Sequence, residues 1–256
     1  MTLKKIQKEL IKKCNSIVQR CETRTKIITK GHVLEGVASG SLSSTVPNSQ
    51  LTHQQSKGTH AYKVTIDASF LEDIQSIITL AQNELVQEWH KYLDEVFIEA
   101  LRLCLNDVKL HDRLPSMNLP LTELNVSRKP KIIESICIAL REPFSFTKYH
   151  QKITKLEKLF AIKFESGTDL KKTYDETSYE VDKHVMIRNV FQHNRGIITS
   201  DDFENIGKQN KTITILDENG KKYSLAENQK ILLSLPEIKY LFSQIKTYSS
   251  YFWKLP

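Results

Sequence analysis

The stretch His184-Val-Met-Ile-Arg-Asn-Val-Phe-Gln-His-Asn-Arg-Gly-Ile-Ile-Thr199 sets polar side chains into an apolar helical pattern directly before a glycine. Its apolar positions predict a helix face that packs against the core: Val185, Met186, Ile187, Val190 and Phe191. Arg188, Asn189 and His193 interrupt this pattern. A guanidinium and an imidazole beside an apolar face require partners or a ligand. We therefore expect the functional site in this stretch.

The size and charge of the chain limit the class of protein to which it can belong. A length of 256 residues with 39% hydrophobic content is enough for a sizeable core. The 37 lysines and arginines exceed the 30 acidic residues, and the pI is near 9.1. This balance favours a polyanionic partner, although a solvated basic surface gives the same total. The sequence contains neither an apolar run of about 20 residues nor a signal peptide. We therefore expect a soluble cytoplasmic protein that does not bind a membrane.

Composition divides the chain into three parts. Residues 1–30 predict a basic amphipathic helix, from about Leu3 to Glu22. Residues 31–60 are rich in Gly, Ser, Thr and Gln and predict a flexible loop or linker, with Val33, Leu34 and Val37 as a possible short strand. Residues 61–256 predict a single helical domain. The four cysteines lack the paired spacing of a metal site and are expected to be buried or free thiols.

Within the helical domain the fold class is mainly α, a helical bundle with a small β-hairpin before the last helix. Apolar residues at helical spacing predict helices over about 67–109, 131–140, 147–163 and 170–193. Pro143 is expected to end the second of these helices. Asp217-Glu-Asn-Gly220 supplies turn chemistry for a hairpin over residues 211–225. A last helix is expected from about Ala226, with Pro236 as a possible kink.

A basic series on the helix over 147–163 is the second candidate surface. Lys148, Lys152, Lys155 and Lys158 lie at i, i+4, i+7 and i+10, broadly along one helix face. Such a face suits phosphates, and it suits ordinary solubility equally well. The sequence contains no glycine-rich phosphate loop, zinc-binding helix or serine-nucleophile elbow, so we expect no cofactor and no metal.

Arg188-Asn189 followed by His193 resembles the Arg-Asn-x3-His motif of HEPN ribonucleases. The surrounding sequence is similar as well: Asn194-Arg195-Gly196-Ile197-Ile198, a short polar spacer, a hairpin and a last helix. The resemblance extends from about Asp67 to the C-terminus and does not cover residues 1–60. In toxin–antitoxin members a tyrosine two residues beyond the histidine can be modified by the antitoxin. Here Arg195 occupies that position, which argues against this type of control and adds a candidate phosphate ligand.

The resemblance implies an endoribonuclease of antiviral defence or a toxin system, acting on RNA such as tRNA or mRNA. It implies a homodimer in which two motif helices meet at one cleft. RNA carries its own nucleophile, the 2′-hydroxyl, so His193 would transfer protons, Arg188 would bind the phosphate oxygens and Asn189 would position them. Five helical residues turn through about 500°, which leaves Arg188 and His193 about 140° apart. Either the helix distorts or a second copy completes the site.

Two alternatives remain open from the sequence. In the first, Arg188 and His193 form a buried polar network that holds two helices together, in a HEPN-like protein without activity that has a structural role or only binds RNA. In the second, the chain is an interaction module of a larger defence complex, and its late helix and aromatic tail dock a regulatory or effector protein. Packing of that tail on the core is the more frequent outcome for apolar residues at helical spacing.

Overall fold

A computed structural model describes residues 2–39, 68–114, 129–205 and 212–253. The expected fold class is confirmed: the chain is mainly helical, with a small two-stranded antiparallel sheet before the last helix. The elements are α1 (Leu3–Ser39), α2 (Ala68–Asn106), a 3-10 helix (Val108–Arg113), α3 (Lys129–Ser145), α4 (Tyr149–Leu159), α5 (Asp169–His193), α6 (Ser200–Asn205), β1 (Thr212–Leu216), β2 (Lys222–Ala226), α7 (Leu235–Ser249) and a closing 3-10 turn (Ser250–Phe252).

The central helix is α2, which packs against α1, α3, α4, α5 and α7. Trp89 is fully buried at its middle, and its ring centroid lies 5.3 Å from those of Tyr92 and Tyr248. Tyr248 brings the end of α7 into the same cluster, and Phe252 packs beside it. The aromatic tail therefore packs on the core through Tyr248 and Phe252, as the more frequent outcome predicted.

The N-terminal helix is longer than predicted and belongs to the same core. Leu3, Ile6 and Leu10 are buried in one hydrophobic cluster with the residues of α2 and α7. Residues 31–39, predicted to be loop or short strand, continue α1. The glycines in this segment each cost only about 1 kcal/mol in a helix and do not block it, and no proline precedes Pro47. The rest of the predicted linker, residues 40–60, lies outside the described residues.

Two prolines act differently from the prediction. Helix α3 continues through Pro143 to Ser145, because the proline lies in the last turn and Phe144 is anchored by stacking on Phe97 at 3.7 Å. Pro236 lies in the first turn of α7 instead of kinking a longer helix, and Ser234 caps that helix by accepting from the Glu237 N–H. The last helix consequently begins at Leu235, not near Ala226.

The predicted hairpin is confirmed, with Thr212 paired to Ala226 and Leu216 to Lys222. Its turn is fixed by Asp217, whose Oδ1 accepts from the N–H groups of Asn219 and Lys221. Ile213 and Ile215 are buried in the core and alternate with the half-buried positions of β1. The short α6 was not predicted, because its sequence is polar apart from the buried Phe203.

Candidate functional site

The C-terminal end of α5 is held in place by backbone hydrogen bonds. The N–H groups of Asn194 and Gly196 both donate to the Val190 carbonyl, which ends the helix directly after His193. Gly196 adopts φ +81°, a conformation that glycine accepts at no steric cost. Its carbonyl accepts from the Ile231 N–H, so the segment before α7 returns to the end of the motif helix.

The three motif side chains lie around an outward-facing part of this helix end. Arg188 is half-buried, whereas Asn189 and His193 are exposed. None of the three forms a hydrogen bond or ion pair with another described residue. The helix is continuous from Asp169 to His193, so the separation of about 140° between Arg188 and His193 stands. Within one chain the two side chains are therefore not brought together, and a buried Arg188–His193 network is not formed among the described residues.

Arg195 lies immediately beyond the helix. It is exposed and adopts φ +52°, in the left-handed region that non-glycine residues seldom occupy. Together with Gly196, which also has a positive φ, this conformation ends α5 and places a cation two residues after His193. The candidate phosphate ligand is thus accessible at the same helix end as Asn189 and His193.

Besides burial, the charge of Arg188 lowers the pKa of a histidine on α2, His90. His90 is half-buried, and its ring meets the edge of Tyr149 at 5.5 Å. Burial, together with the positive charges of Lys152 and Arg188, lowers the pKa of His90 to about 4. Two predicted cations from different helices therefore both disfavour protonation of the same imidazole. No pattern in the sequence singles out His90, although it precedes Asp94 by one helical turn on α2.

The position of Lys152 differs from the prediction. It was expected on an exposed basic face, but it is 2% exposed and its Nζ lies 2.7 Å from Asp94 Oδ1. Asp94 also accepts from the Ser145 hydroxyl at 2.9 Å. The spacing along α4 could not reveal that α2 supplies a carboxylate opposite this lysine. Lys152 therefore joins α4 to α2 and is not free to bind an RNA phosphate.

The other members of that basic series keep their solvent access. Lys148 is exposed at the N-cap of α4, and Lys155 is half-buried with its Nζ 6.0 Å from the Phe144 ring centroid. Lys158 is exposed in the last turn. With Lys152 withdrawn into the fold, the exposed series is interrupted at its centre.

Next to this region Asp182 of α5 is held in an apolar setting. Burial raises the pKa of Asp182 to about 7, and hydrogen bonding from Tyr149 offsets only part of the shift. Its Oδ1 is buried without a hydrogen-bond partner among the described residues. Tyr149 in turn accepts from the Trp89 indole N–H at 3.0 Å. A carboxyl group with a raised pKa therefore lies six residues before Arg188 on the motif helix.

A buried ionic network lies on another face of α5. Glu237 of α7 accepts from His184 Nε2 at 2.9 Å and from the Leu216 N–H at 2.8 Å, and it pairs with Lys183. Burial alone would raise the pKa of Glu237, but His184, Lys183 and the Leu216 N–H lower it to about 2. These contacts tie α5, β1 and α7 together. They could not be predicted from the sequence, because partners about 50 residues apart leave no local pattern.

The described ranges contain no group of three or more His, Cys, Asp or Glu residues that could hold a metal ion. All four cysteines are free and buried, as expected. Across the same ranges no helix combines the length and apolar character that crossing a membrane requires.

Comparisons with protein-family models, with curated proteins and with solved structures found no match for this chain.

Proposed function

We propose that the chain is a HEPN-type endoribonuclease that cleaves RNA without a metal, through attack of the substrate's own 2′-hydroxyl. One observation carries the proposal: the Arg188-Asn189-x3-His193 sequence lies at a helix end where Asn189 and His193 are exposed and without partners among the described residues. Arg195 adds a second guanidinium at that end. A general acid or base and two cations there suit a phosphodiester.

The chemistry requires two proton transfers and stabilisation of one transition state. A base removes the 2′-hydroxyl proton while the 2′-oxygen bonds to phosphorus, and the bond from phosphorus to the 5′-oxygen breaks. The leaving 5′-oxygen takes up a proton. Histidine is suited to both transfers because its ordinary pKa is near neutrality. The products are a 2′,3′-cyclic phosphate and a 5′-hydroxyl, and Arg188 stabilises the charge on the phosphorane oxygens.

The angular separation on α5 makes a homodimer part of the proposal. Because Arg188 and His193 of one chain point about 140° apart, His193 of a second copy would complete the site beside Arg188. Two motif helices meeting around a two-fold axis would place two such pairs at one cleft. This arrangement is the one that the family resemblance implies.

A second candidate function is an RNA-binding or protein-interaction module without catalysis. The half-burial of Arg188 and its coupling to His90 favour this candidate, because a guanidinium held against α2 can serve the fold alone. In that case the protein binds RNA or a defence partner through its exposed cations and leaves RNA intact.

The test is incubation of the purified protein with total RNA, with and without a chelator, beside His193→Ala. The proposal expects cleavage that survives the chelator and is lost in the variant. A single 2′-deoxy or 2′-O-methyl nucleotide at the cut site should block the reaction. Products with 5′-phosphate ends, or cleavage of the 2′-deoxy substrate at an undiminished rate, would show that water is the nucleophile and that the proposal is wrong.

A further inference from the structure

The outer face of α1 carries lysines that form no ion pair with the described residues. Lys4, Lys5, Lys8 and Lys12 are exposed, and none has a carboxylate within ion-pair distance among the described residues. The flanks of the same helix differ. Lys13 pairs with Glu88 at 3.2 Å and Arg20 with Glu84 at 2.7 Å, both across the α1–α2 contact.

The four lysines form a compact and firmly held stripe, here named the α1 lysine stripe. Lys4, Lys8 and Lys12 are separated by four residues, which places them about 6 Å apart along the helix. Glu9 lies at its margin, where its charge acts on Lys13. The opposite face of α1 is buried in the core through residues that include Leu3, Ile6, Leu10 and Cys14. The stripe is therefore a fixed row of positive charges and not a flexible tail.

An aromatic ring stands at one end of the stripe. Lys4 Nζ lies 5.6 Å from the centroid of the Trp253 ring. Trp253 is 38% exposed, whereas its neighbour Phe252 is fully buried and fixes the backbone beside it. Aromatic side chains next to a cationic groove are the pattern by which proteins bind single strands, because bases stack on the ring and phosphates follow the cations.

We propose that the α1 lysine stripe and Trp253 form a docking surface for the backbone of single-stranded RNA. A base stacked on Trp253 would place its phosphate near Lys4, and the following phosphates would meet Lys8 and Lys12. The inference rests on the proposed function in taking RNA as the ligand, but it concerns binding and not cleavage. An anionic membrane is the less favoured ligand, because the apolar face of α1 is buried in the bundle and is not free to insert.

The experiment measures binding of the full chain to a labelled 2′-O-methyl RNA of about 12 nucleotides, which spans an ordinary single-strand site and cannot be cleaved. The variant is the triple Lys4→Gln, Lys8→Gln, Lys12→Gln. Loss of three phosphate contacts should weaken binding on the order of 100-fold at about 0.1 M salt and reduce the slope of log K against log salt by about 2. Trp253→Leu should weaken binding by about 5-fold or more.

The matched control is Lys163→Gln, Lys172→Gln, Lys222→Gln, which removes three exposed positive charges elsewhere. It should weaken binding by less than about 10-fold, since only the long-range field changes. Thermal unfolding should be unchanged in both triples, because every substituted side chain is exposed. Equal effects of the two triples, no RNA binding by the wild type, or a stripe-dependent affinity for anionic vesicles alone would overturn the inference.

The outcome also separates this inference from the proposed function. RNA binding through the stripe by a protein that cleaves nothing would support the docking surface and reject the ribonuclease. Cleavage that is indifferent to the stripe variant, with binding unchanged, would do the reverse.

Discussion

Glu237 lies 3.0 Å from the Nζ of Lys183 although neither side chain reaches solvent. The lysine also donates to the Thr214 carbonyl of β1 at 2.8 Å. One buried carboxylate and one buried ammonium thus connect the motif helix, the hairpin and the last helix. Breaking a buried pair is costly, because the remaining charge is left in a poor environment.

Glu237→Gln should lower the free energy of unfolding by about 3 kcal/mol at neutral pH, because Lys183 loses a buried counter-charge. Lys183 keeps Glu180 as a partner, so we expect the lower part of the usual range. Urea denaturation measures the change. The exposed Glu227→Gln on the segment after β2 is the control and should stay within about 0.5 kcal/mol of the wild type.

The same variant has a defined pH dependence. The pKa of Glu237 is about 2 in the folded chain, below its ordinary value of 4.5. Its contribution to stability is therefore present above pH 4.5 and is lost as the pH falls toward 2. The stability difference between wild type and Glu237→Gln should shrink across that window. A constant difference from pH 7 to pH 3 would contradict the ionised buried carboxylate.

Asp182→Asn should stabilise the protein at alkaline pH. The pKa of Asp182 is raised from its ordinary value of 3.8 to about 7, so the folded chain holds a proton that the unfolded chain releases. Stability from this group is thus present below pH 3.8 and is lost as the pH rises through 7. A rise of about 3 in the pKa corresponds to about 4 kcal/mol, so we expect a gain of about 4 kcal/mol in the free energy of unfolding at pH 8 and less than about 1 kcal/mol at pH 4.

Denaturation curves at the two pH values test the effect of Asp182→Asn. The exposed Glu176→Gln on the same helix is the control and should show no such dependence. A gain of equal size at both pH values would mean that the aspartate is ionised throughout and that burial does not raise its pKa.

Gly196→Ala should destabilise the end of the motif helix. A Cβ at this position would lie 2.9 Å from the Phe191 ring, and the backbone holds φ +81°. Gly167→Ala is a matched control, since Gly167 has φ +83° and open space around it. We expect about 1 kcal/mol for the control and about 2 to 3 kcal/mol for Gly196→Ala in denaturation experiments. Equal losses would show that Phe191 moves aside freely.

His193→Ala should slow RNA cleavage by about 10² to 10⁴-fold while the melting temperature stays within a degree or so of the wild type. The melting temperature should be unchanged because His193 is exposed at the helix end and has no partner among the described residues. Gln192→Ala at the exposed neighbouring position should affect neither quantity. A large drop in melting temperature for His193→Ala would reveal a structural role instead.

Mixing two inactive variants tests the composite site. If Arg188 of one chain works with His193 of the other, an Arg188→Ala chain and a His193→Ala chain together restore one complete pair. Random exchange of subunits predicts cleavage up to about a quarter of wild type, because half of the dimers are mixed. Light scattering should show a dimer at micromolar concentration. An active monomer, or mixtures that stay inactive, would contradict this arrangement.

Local periodicity was sufficient for most of the fold. The apolar spacing of α2 and α5 and the Asp217-to-Gly220 turn each describe structure formed by near neighbours in sequence, and they predicted those elements closely. The ends were harder to predict. Pro143 and Gly31 weaken a helix without stopping it, and whether a helix continues depends on packing such as that of Phe144 on Phe97.

The position of the Arg188-Asn189-x3-His193 motif at the end of a helix was predictable, but its surroundings were not. Helical geometry alone separated Arg188 from His193, and the regular α5 keeps that separation. No local pattern could show that Asp94 pairs with Lys152 or that burial, together with the charge of Arg188, lowers the pKa of His90. Those relationships arise from contacts between α2, α4 and α5, so they depend on how the helices pack.

The Ile231 N–H bond to the Gly196 carbonyl gives the motif a dynamic character of its own. The end of α5 cannot fray without releasing the strand-like segment before α7, and that segment is joined to the hairpin through Ser234, whose hydroxyl donates to the Leu216 carbonyl. We therefore expect the helix end, the hairpin and the start of α7 to open as one cooperative unit, with a common opening free energy in amide hydrogen exchange. On that expectation, His193 at the end of α5 changes position only when the hairpin and the start of α7 open as well.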